Sequence, residues 1–274
     1  MNKTILITGC SSGIGNDAAK TLHNRGWRVF ATCRKEADCV SLRDEGLESF
    51  PLDYADELSL KTAVTEIESR TGGKLDALFN NGAYALPGAV EDVPRDALRE
   101  IFEVNVFGQF DLINRLLPQL HAAKDARVIN CSSVLGFAAI PFRGAYSATK
   151  FAMESLTDTI RRENRRGPVK FILIEPGPIT TNIRENAIPH FEKWIDWEAS
   201  RKREFYEKIF CPRLYRTDYR KDRFELPPAA VTKKVIHALE ARRPRKRYFV
   251  TVPTYLANLI TRILPTSWQD VFLS

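Results

Sequence analysis

The chain has 274 residues, 44% hydrophobic and 27% charged, with 14 glycines and 15 prolines; this is the make-up of a folded globular protein and excludes a fibrous, collagen-like or disordered one. Its length suits one large α/β domain or two small ones. The formal net charge is +7, but residues 1–190 carry 23 basic against 24 acidic side chains and residues 191–274 carry 18 against 10, so the whole excess lies in the last third.

Taken in chain order, Thr4–Thr8 reads as a strand; its apolar run is far too short for the core of a signal peptide. It leads into Thr8-Gly9-Cys10-Ser11-Ser12-Gly13-Ile14-Gly15, and a helix pattern follows from Asn16 to Arg25. Further short apolar runs at Arg28–Cys33, Leu47–Leu52, Leu75–Phe79, Arg127–Cys131 and Val169–Ile174 read as strands, with stretches of helical length between most of them. Runs apolar on both faces and separated by crossover-length helices predict a parallel sheet covered on both sides, a doubly wound α/β fold of about seven strands. No repeat, low-complexity tract or Gly/Ser linker divides the chain, so residues 1–274 are expected to form one domain.

The alternation stops near Pro189. His190–Phe224 is aromatic and basic, with Trp194, Trp197, Phe205, Tyr206, Phe210, Tyr215 and Tyr219, and predicts a substrate lid over residues 190–226. After Pro227-Pro228 a helix is expected over Ala229–Ala241. The run Arg242-Arg243-Pro244-Arg245-Lys246-Arg247 then precedes Tyr255, Leu256, Leu259, Ile260, Ile263 and Leu264, an apolar stripe on one helix face. Such a stripe is expected to pack on the domain or on a second copy in a homodimer or homotetramer; with its preceding cations it also suits weak peripheral contact with an anionic membrane. The basic third carries no helix-turn-helix, finger or RNP pattern, so no nucleic-acid partner is expected. Five scattered cysteines without a C-x-x-C pair argue against a disulfide framework or a metal site and predict a reducing, cytoplasmic setting.

The residues also indicate chemistry. A glycine-rich strand-to-helix turn lets an anion approach backbone N–H groups at a helix N-terminus, so Gly9, Gly13 and Gly15 predict a pyrophosphate site. Tyr146 and Lys150, four apart on one helix face, place an ammonium near a phenol and are expected to draw its pKa from ~10 toward neutrality, as a general acid/base needs. Ser133 ends another strand at the carboxyl edge, where open α/β sheets build their sites.

The G-x-x-x-G-x-G spacing resembles that of the classical short-chain dehydrogenases/reductases, and further motifs extend the likeness over about residues 3–182. They are Asp53 after the third strand, Asn80-Asn81-Gly82-Ala83 after the fourth, Asn105 in Val-Asn-Val-Phe-Gly, Ser133 in Cys-Ser-Ser-Val-Leu-Gly, Tyr146 and Lys150 in Tyr-Ser-Ala-Thr-Lys, and Pro176-Gly177-Pro178-Ile179-Thr180-Thr181. The resemblance implies that Tyr146 donates the proton, Ser133 binds the carbonyl oxygen, Lys150 tunes the tyrosine and binds the nicotinamide ribose, and Asn105 holds a relay water. It further implies cofactor contacts from Gly9, Ser11, Ser12, Gly13, Ile14, Gly15, Arg34, Asp53, Asn80, Tyr146, Lys150, Ile179 and Thr181. Cys33 stands where NAD-dependent members typically carry an acid, and Arg34 follows it, which suits the 2′-phosphate of NADP. Gly82-Ala83 reverses the family's Ala-Gly and moves the position that tolerates φ > 0.

The aromatic lining at Trp194, Ile195, Trp197, Phe205 and Phe210 suits apolar aldehydes, ketones or alcohols, as in the NADP-dependent aldehyde reductases and the retinol and hydroxysteroid dehydrogenase branch that the chain resembles. The rival expectations are a catalytically silent dinucleotide sensor and a membrane-surface interaction protein. The first need not retain Tyr146, Lys150 and Ser133 together; the second does not explain them.

Overall fold

Successive residues of each central strand point to opposite apolar layers, which explains why the strands read as unbroken apolar runs. Ile5 and Ile7 of β1 (Thr4–Thr8) enter one core cluster and Leu6 the other; Ala77 and Phe79 oppose Leu78, and Ile172 and Ile174 oppose Phe171 in the same way. The computed structural model describes residues 2–218 and 221–273, so Tyr219 of the expected lid lies outside the described residues.

From β1 the chain runs through α1 (Gly13–Asn24), β2 (Arg28–Cys33), α2 (Glu36–Asp44), β3 (Glu48–Pro51), α3 (Glu57–Thr71) and β4 (Ala77–Asn80). Next, α4 (Arg95–Phe102), a π-helical turn (Glu103–Phe107) and α5 (Gly108–His121) follow one another without a break. They lead to β5 (Ala126–Cys131), α6 (Gly144–Glu163) and β6 (Val169–Glu175). The last third holds α7 (Ile183–Trp194), the short α8 (Arg203–Phe205), a second π-helical turn (Tyr206–Phe210), the short α9 (Cys211–Leu214), α10 (Pro228–Glu240), β7 (Arg247–Phe249), α11 (Val252–Ile263) and α12 (Thr266–Leu273). All strand pairs are parallel, in the order β3-β2-β1-β4-β5-β6-β7. Residues of α1, α2 and α10 pack on one face and residues of α3 and α5 on the other, giving the doubly wound architecture expected from sequence.

Three expectations need correction. First, the segment read as a lid from residue 190 begins inside a helix: α7 carries Pro189 in its interior, giving up that residue's bond to the carbonyl four residues back. The aromatic residues beyond it belong largely to a core: Tyr206 is fully buried, Ile195 and Phe210 are buried, and all three share a cluster with Tyr146. Second, β7 sits at the end of the basic run, too short and too polar at Arg247 to show a strand pattern. Because β7 is parallel to β6, the run leaves the amino edge of the sheet while α11 starts from the carboxyl edge, so the cations and the stripe do not form one unit. Third, the stripe is not the face that packs inward. Thr254 and Ala257 are buried, whereas Tyr255, Leu256, Leu259 and Ile263 are 49–67% exposed. The inward face is fixed by hydroxyls: Thr251 and Thr254 lie 3.0 Å apart, and a Cβ at Gly177 would come within 2.1 Å of Thr251 Oγ1.

Candidate active site

The glycine turn is built by close approach. Gly9 (φ +67°) lies against Gly82, so that a Cβ there would be 2.7 Å from Gly82 Cα, and a Cβ at Gly15 would be 2.3 Å from Gly9 O. Gly13 (φ +59°) faces the Thr181 methyl, which brings the Pro176–Thr181 segment onto the same turn. Ser12 is the N-cap of α1 in extended conformation; its side chain makes no capping bond, and the first turn contains no acidic residue. The N-terminus of α1 thus keeps its backbone donors and positive dipole end uncompensated.

Thr8, quoted in the motif but given no role from sequence, organises this turn. Its Oγ accepts from the Asn81 and Gly82 backbone N–H groups and from the Tyr54 phenol, and the Asn81 amide donates to Thr8 O and Gly9 O. Asn80 is fully buried, with its side chain engaged by Tyr54 and Asn130 beneath the turn, so it braces β4 and β5 rather than facing the groove. The reversed Gly82-Ala83 is accommodated without strain, since among the described non-glycine residues only Phe142 has positive φ and Gly82 is not in that region. What Gly82 supplies is room beside Gly9.

Asp53 is half-buried past β3, with one carboxylate oxygen accepting from Ala55 N–H at 3.0 Å. Arg34 is exposed past β2, and among the described residues no carboxylate pairs with it or with Lys35. Ile14 and Ile179 pack on the core flank beneath the turn.

At the carboxyl end of β5, Ser133 is part-exposed and caps a short turn, its Oγ accepting from Leu135 N–H at 3.1 Å. Tyr146, in the first turn of α6, and Lys150, one turn later, are buried. Lys150 Nζ donates to Cys131 O at 2.8 Å and lies 5.5 Å from the centre of the Tyr146 ring, so Tyr146, Lys150 and the end of β5 meet in one place. The expected fall of the Tyr146 pKa is not found: burial pushes the phenol well above its ordinary value, and hydrogen bonding toward Ser133 offsets only part of that. Burial likewise lowers Lys150, against a smaller upward pull from neighbouring negative charge.

Asn105 is fully buried in the first π-helical turn. Its amide pairs with both backbone groups of Tyr84, at 3.1 and 2.9 Å, and donates to Thr149 Oγ1 at 3.3 Å, which in turn donates to Tyr146 O at 2.7 Å. Asn105 therefore ties α6 to the loop after β4; Thr149, inside the Tyr-Ser-Ala-Thr-Lys motif, is the link that sequence reasoning missed. Phe142, just before α6, holds a left-handed φ of +60° that a bulky residue adopts only when its surroundings impose it. Its ring stacks on Phe205 with centroids 4.3 Å apart and touches Tyr206 and Phe210.

The sequence matches the short chain dehydrogenase family over residues 3–191. The chain belongs to that family. The dehydrogenase is 34% identical over 273 residues to an uncharacterized oxidoreductase, YbbO, from Escherichia coli (strain K12), covering 100% of this chain and 94% of the relative. It is 33% identical to an NADPH-dependent 3-dehydrocapnine reductase from Ornithobacterium rhinotracheale (97% and 94% covered) and 32% identical to retinol dehydrogenase 16 from Mus musculus (99% and 88% covered). Hydride transfer with a nicotinamide dinucleotide is the activity of this family, and the uncapped, acid-free α1 terminus beside three close-packed glycines fits the pyrophosphate of such a cofactor. Among the described residues no helix is long and apolar enough to cross a membrane.

Proposed function

We propose that the dehydrogenase exchanges a hydride between NADP(H) and an apolar aldehyde, ketone or alcohol, with Tyr146 as general acid and base. The observation that carries this reading is the meeting of Tyr146, Lys150 and the end of β5 at the carboxyl edge of the parallel sheet, the edge that also carries the glycine turn. The bound dinucleotide supplies or accepts the hydride. In reduction, Tyr146 gives its proton to the carbonyl oxygen while the Ser133 hydroxyl donates to the charge growing on that oxygen. The Lys150 ammonium would stabilise the phenolate left behind and bind the ribose, and Asn105 would hold a relay water.

The cofactor pocket is assigned to Gly9, Ser11, Ser12, Gly13, Ile14, Gly15, Arg34, Asp53, Asn80, Ile179 and Thr181 together with Tyr146 and Lys150. NADP is favoured by the exposed Arg34 just past β2, with which no carboxylate pairs among the described residues, and by the NADPH dependence of the 3-dehydrocapnine reductase relative. Apolar substrates are favoured because Tyr146 shares its cluster with Phe191, Ile195, Tyr206 and Phe210, and residues 190–226 would cover the carbonyl as a lid within one domain. A homodimer or homotetramer would bury the exposed face of α11, with weak peripheral membrane contact as the alternative cover. Five free, buried cysteines support a cytoplasmic setting. The deciding experiment incubates purified protein with NADPH and an aldehyde panel and follows the loss of reduced-nicotinamide absorbance; tight NADPH binding without turnover would identify a silent sensor instead.

A further inference from the structure

Directly behind the site lies a buried ionic cluster that the proposed chemistry leaves unused. Glu154 follows Lys150 by one turn on the same face of α6, and Glu175 ends β6; they are 7% and 0% exposed. One guanidinium serves both: Arg247 Nη1, from β7, hydrogen-bonds Glu154 Oε2 and Glu175 Oε1, while Nη2 lies 2.9 Å from Asp158 Oδ1. The cluster reaches the catalytic turn, since a Cβ at Gly136 would meet Ser132 Oγ at 2.5 Å and Glu154 Oε1 at 3.1 Å. The remaining groups around it are few. From α6 there are Lys150 and Asp158, the latter also paired with Arg161 at 2.5 Å and Arg162 at 3.9 Å; from β5 there is the Cys131 thiol, next to Ser132; the packed Val134–Gly136 turn and α11 present no charged side chain to it.

Two carboxyls excluded from water and facing one cation cannot both carry full charge at low cost, so they share a proton. We propose that Glu154 and Glu175, clamped by Arg247, are a proton-sharing pair that positions charge for Lys150: the single negative charge they retain balances Arg247 and keeps the Lys150 ammonium protonated in a dry site. Burial and the neighbouring carboxylate push Glu175 up to about 8, and Glu154 is raised by burial, in keeping with one proton held between them at neutral pH. The inference rests on the assignment of Tyr146 and Lys150 above.

The charge balance gives a distinctive test. Glu154→Gln or Glu175→Gln alone leaves one carboxylate against Arg247, the same net charge as the sharing pair. The double variant removes that charge and leaves Arg247 only Asp158, which Arg161 shares, so the cluster becomes more positive by one charge, and positive charge lowers the pKa of every nearby acid. The alkaline limb of kcat/KM for NADPH-dependent carbonyl reduction should then move down by about one pH unit in the double variant, move much less in either single variant, and return in the triple variant that adds Arg247→Met. A second readout needs no turnover: the infrared carbonyl band of a buried protonated acid should be present in wild type at pH 7, fade as pH passes about 8, and vanish in each single variant. A limb that moves equally in all variants, or no protonated-acid band at pH 7, overturns the pair. If Tyr146→Phe retains turnover, the assignment of Tyr146 fails instead, and the infrared result still decides whether the pair shares a proton.

Discussion

Tyr146 and Ser133 carry different risks when altered, because one gives up a proton and the other only a hydrogen bond. Tyr146→Phe keeps the ring in its buried seat and removes the proton, so turnover should vanish while NADPH binding, followed by fluorescence titration, stays near wild type; wild-type turnover would remove Tyr146 from the chemistry. Ser133→Ala should lower kcat on the order of 10²-fold, the scale of a donor aimed at a developing oxyanion, and an effect confined to KM would restrict Ser133 to positioning substrate. At the cofactor end, Arg34→Asp replaces an attraction for a 2′-phosphate by repulsion. The NADPH preference measured as a ratio of kcat/KM values should fall by ~10²-fold or reverse, the scale of a few kcal/mol for a lost charge-assisted pair with added repulsion. Equal wild-type efficiency with NADH would make Arg34 a solvated surface residue.

Among the elements, the turn between β1 and α1 offers the sharpest test of packing. Gly15 is buried with φ in an ordinary helical range, so alanine is not excluded by backbone conformation; it is excluded by Gly9 O, 2.3 Å from where the Cβ would sit. Gly15→Ala should lower stability by ~1–3 kcal/mol through overpacking and weaken NADPH binding far more than it changes Tm, because relief requires the cradle itself to open. Thermal unfolding with and without NADPH separates the two effects. This turn was legible in sequence because glycine spacing encodes it directly, as were six strands to within two residues, since apolar runs bounded by polar turns mark a doubly covered sheet. Other features were not legible. β7 is three residues long and begins on an arginine whose carboxylate partners lie 72 to 93 residues earlier, so no local pattern could announce it. The pKa of Tyr146 was misjudged because four-residue spacing shows that a lysine is near, whereas the depth of burial that outweighs it comes only from the assembled fold.

For the molecule as a whole, the unpartnered apolar surface is concentrated at the carboxyl end. Tyr255, Leu256, Leu259 and Ile263 of α11 and Trp268, Val271 and Phe272 of α12 are 49–73% exposed, more clustered than the isolated exposed apolar residues normal on a monomer. If a second copy covers them, sedimentation velocity should give a dimer or tetramer for the wild type and a smaller particle for Leu259→Asp/Ile263→Asp, with kcat per chain little changed. A wild-type monomer that pellets with anionic but not neutral liposomes would assign the face to a membrane.

The Arg247 clamp also bears on how the protein is made. Glu154 and Glu175 leave the ribosome 93 and 72 residues before the guanidinium that joins them. At synthesis rates on the order of 5–20 residues/s, the interval from Glu154 is ~5–20 s. During it the nascent chain holds Tyr146, Lys150 and both acids but lacks their cation, so α6 and the end of β6 cannot close over the carboxyls while these are charged. Completion of the catalytic end of the sheet therefore waits on one of its last strands, and a chain interrupted before residue 247 should carry every motif of the family yet present a folding intermediate to chaperones and proteases.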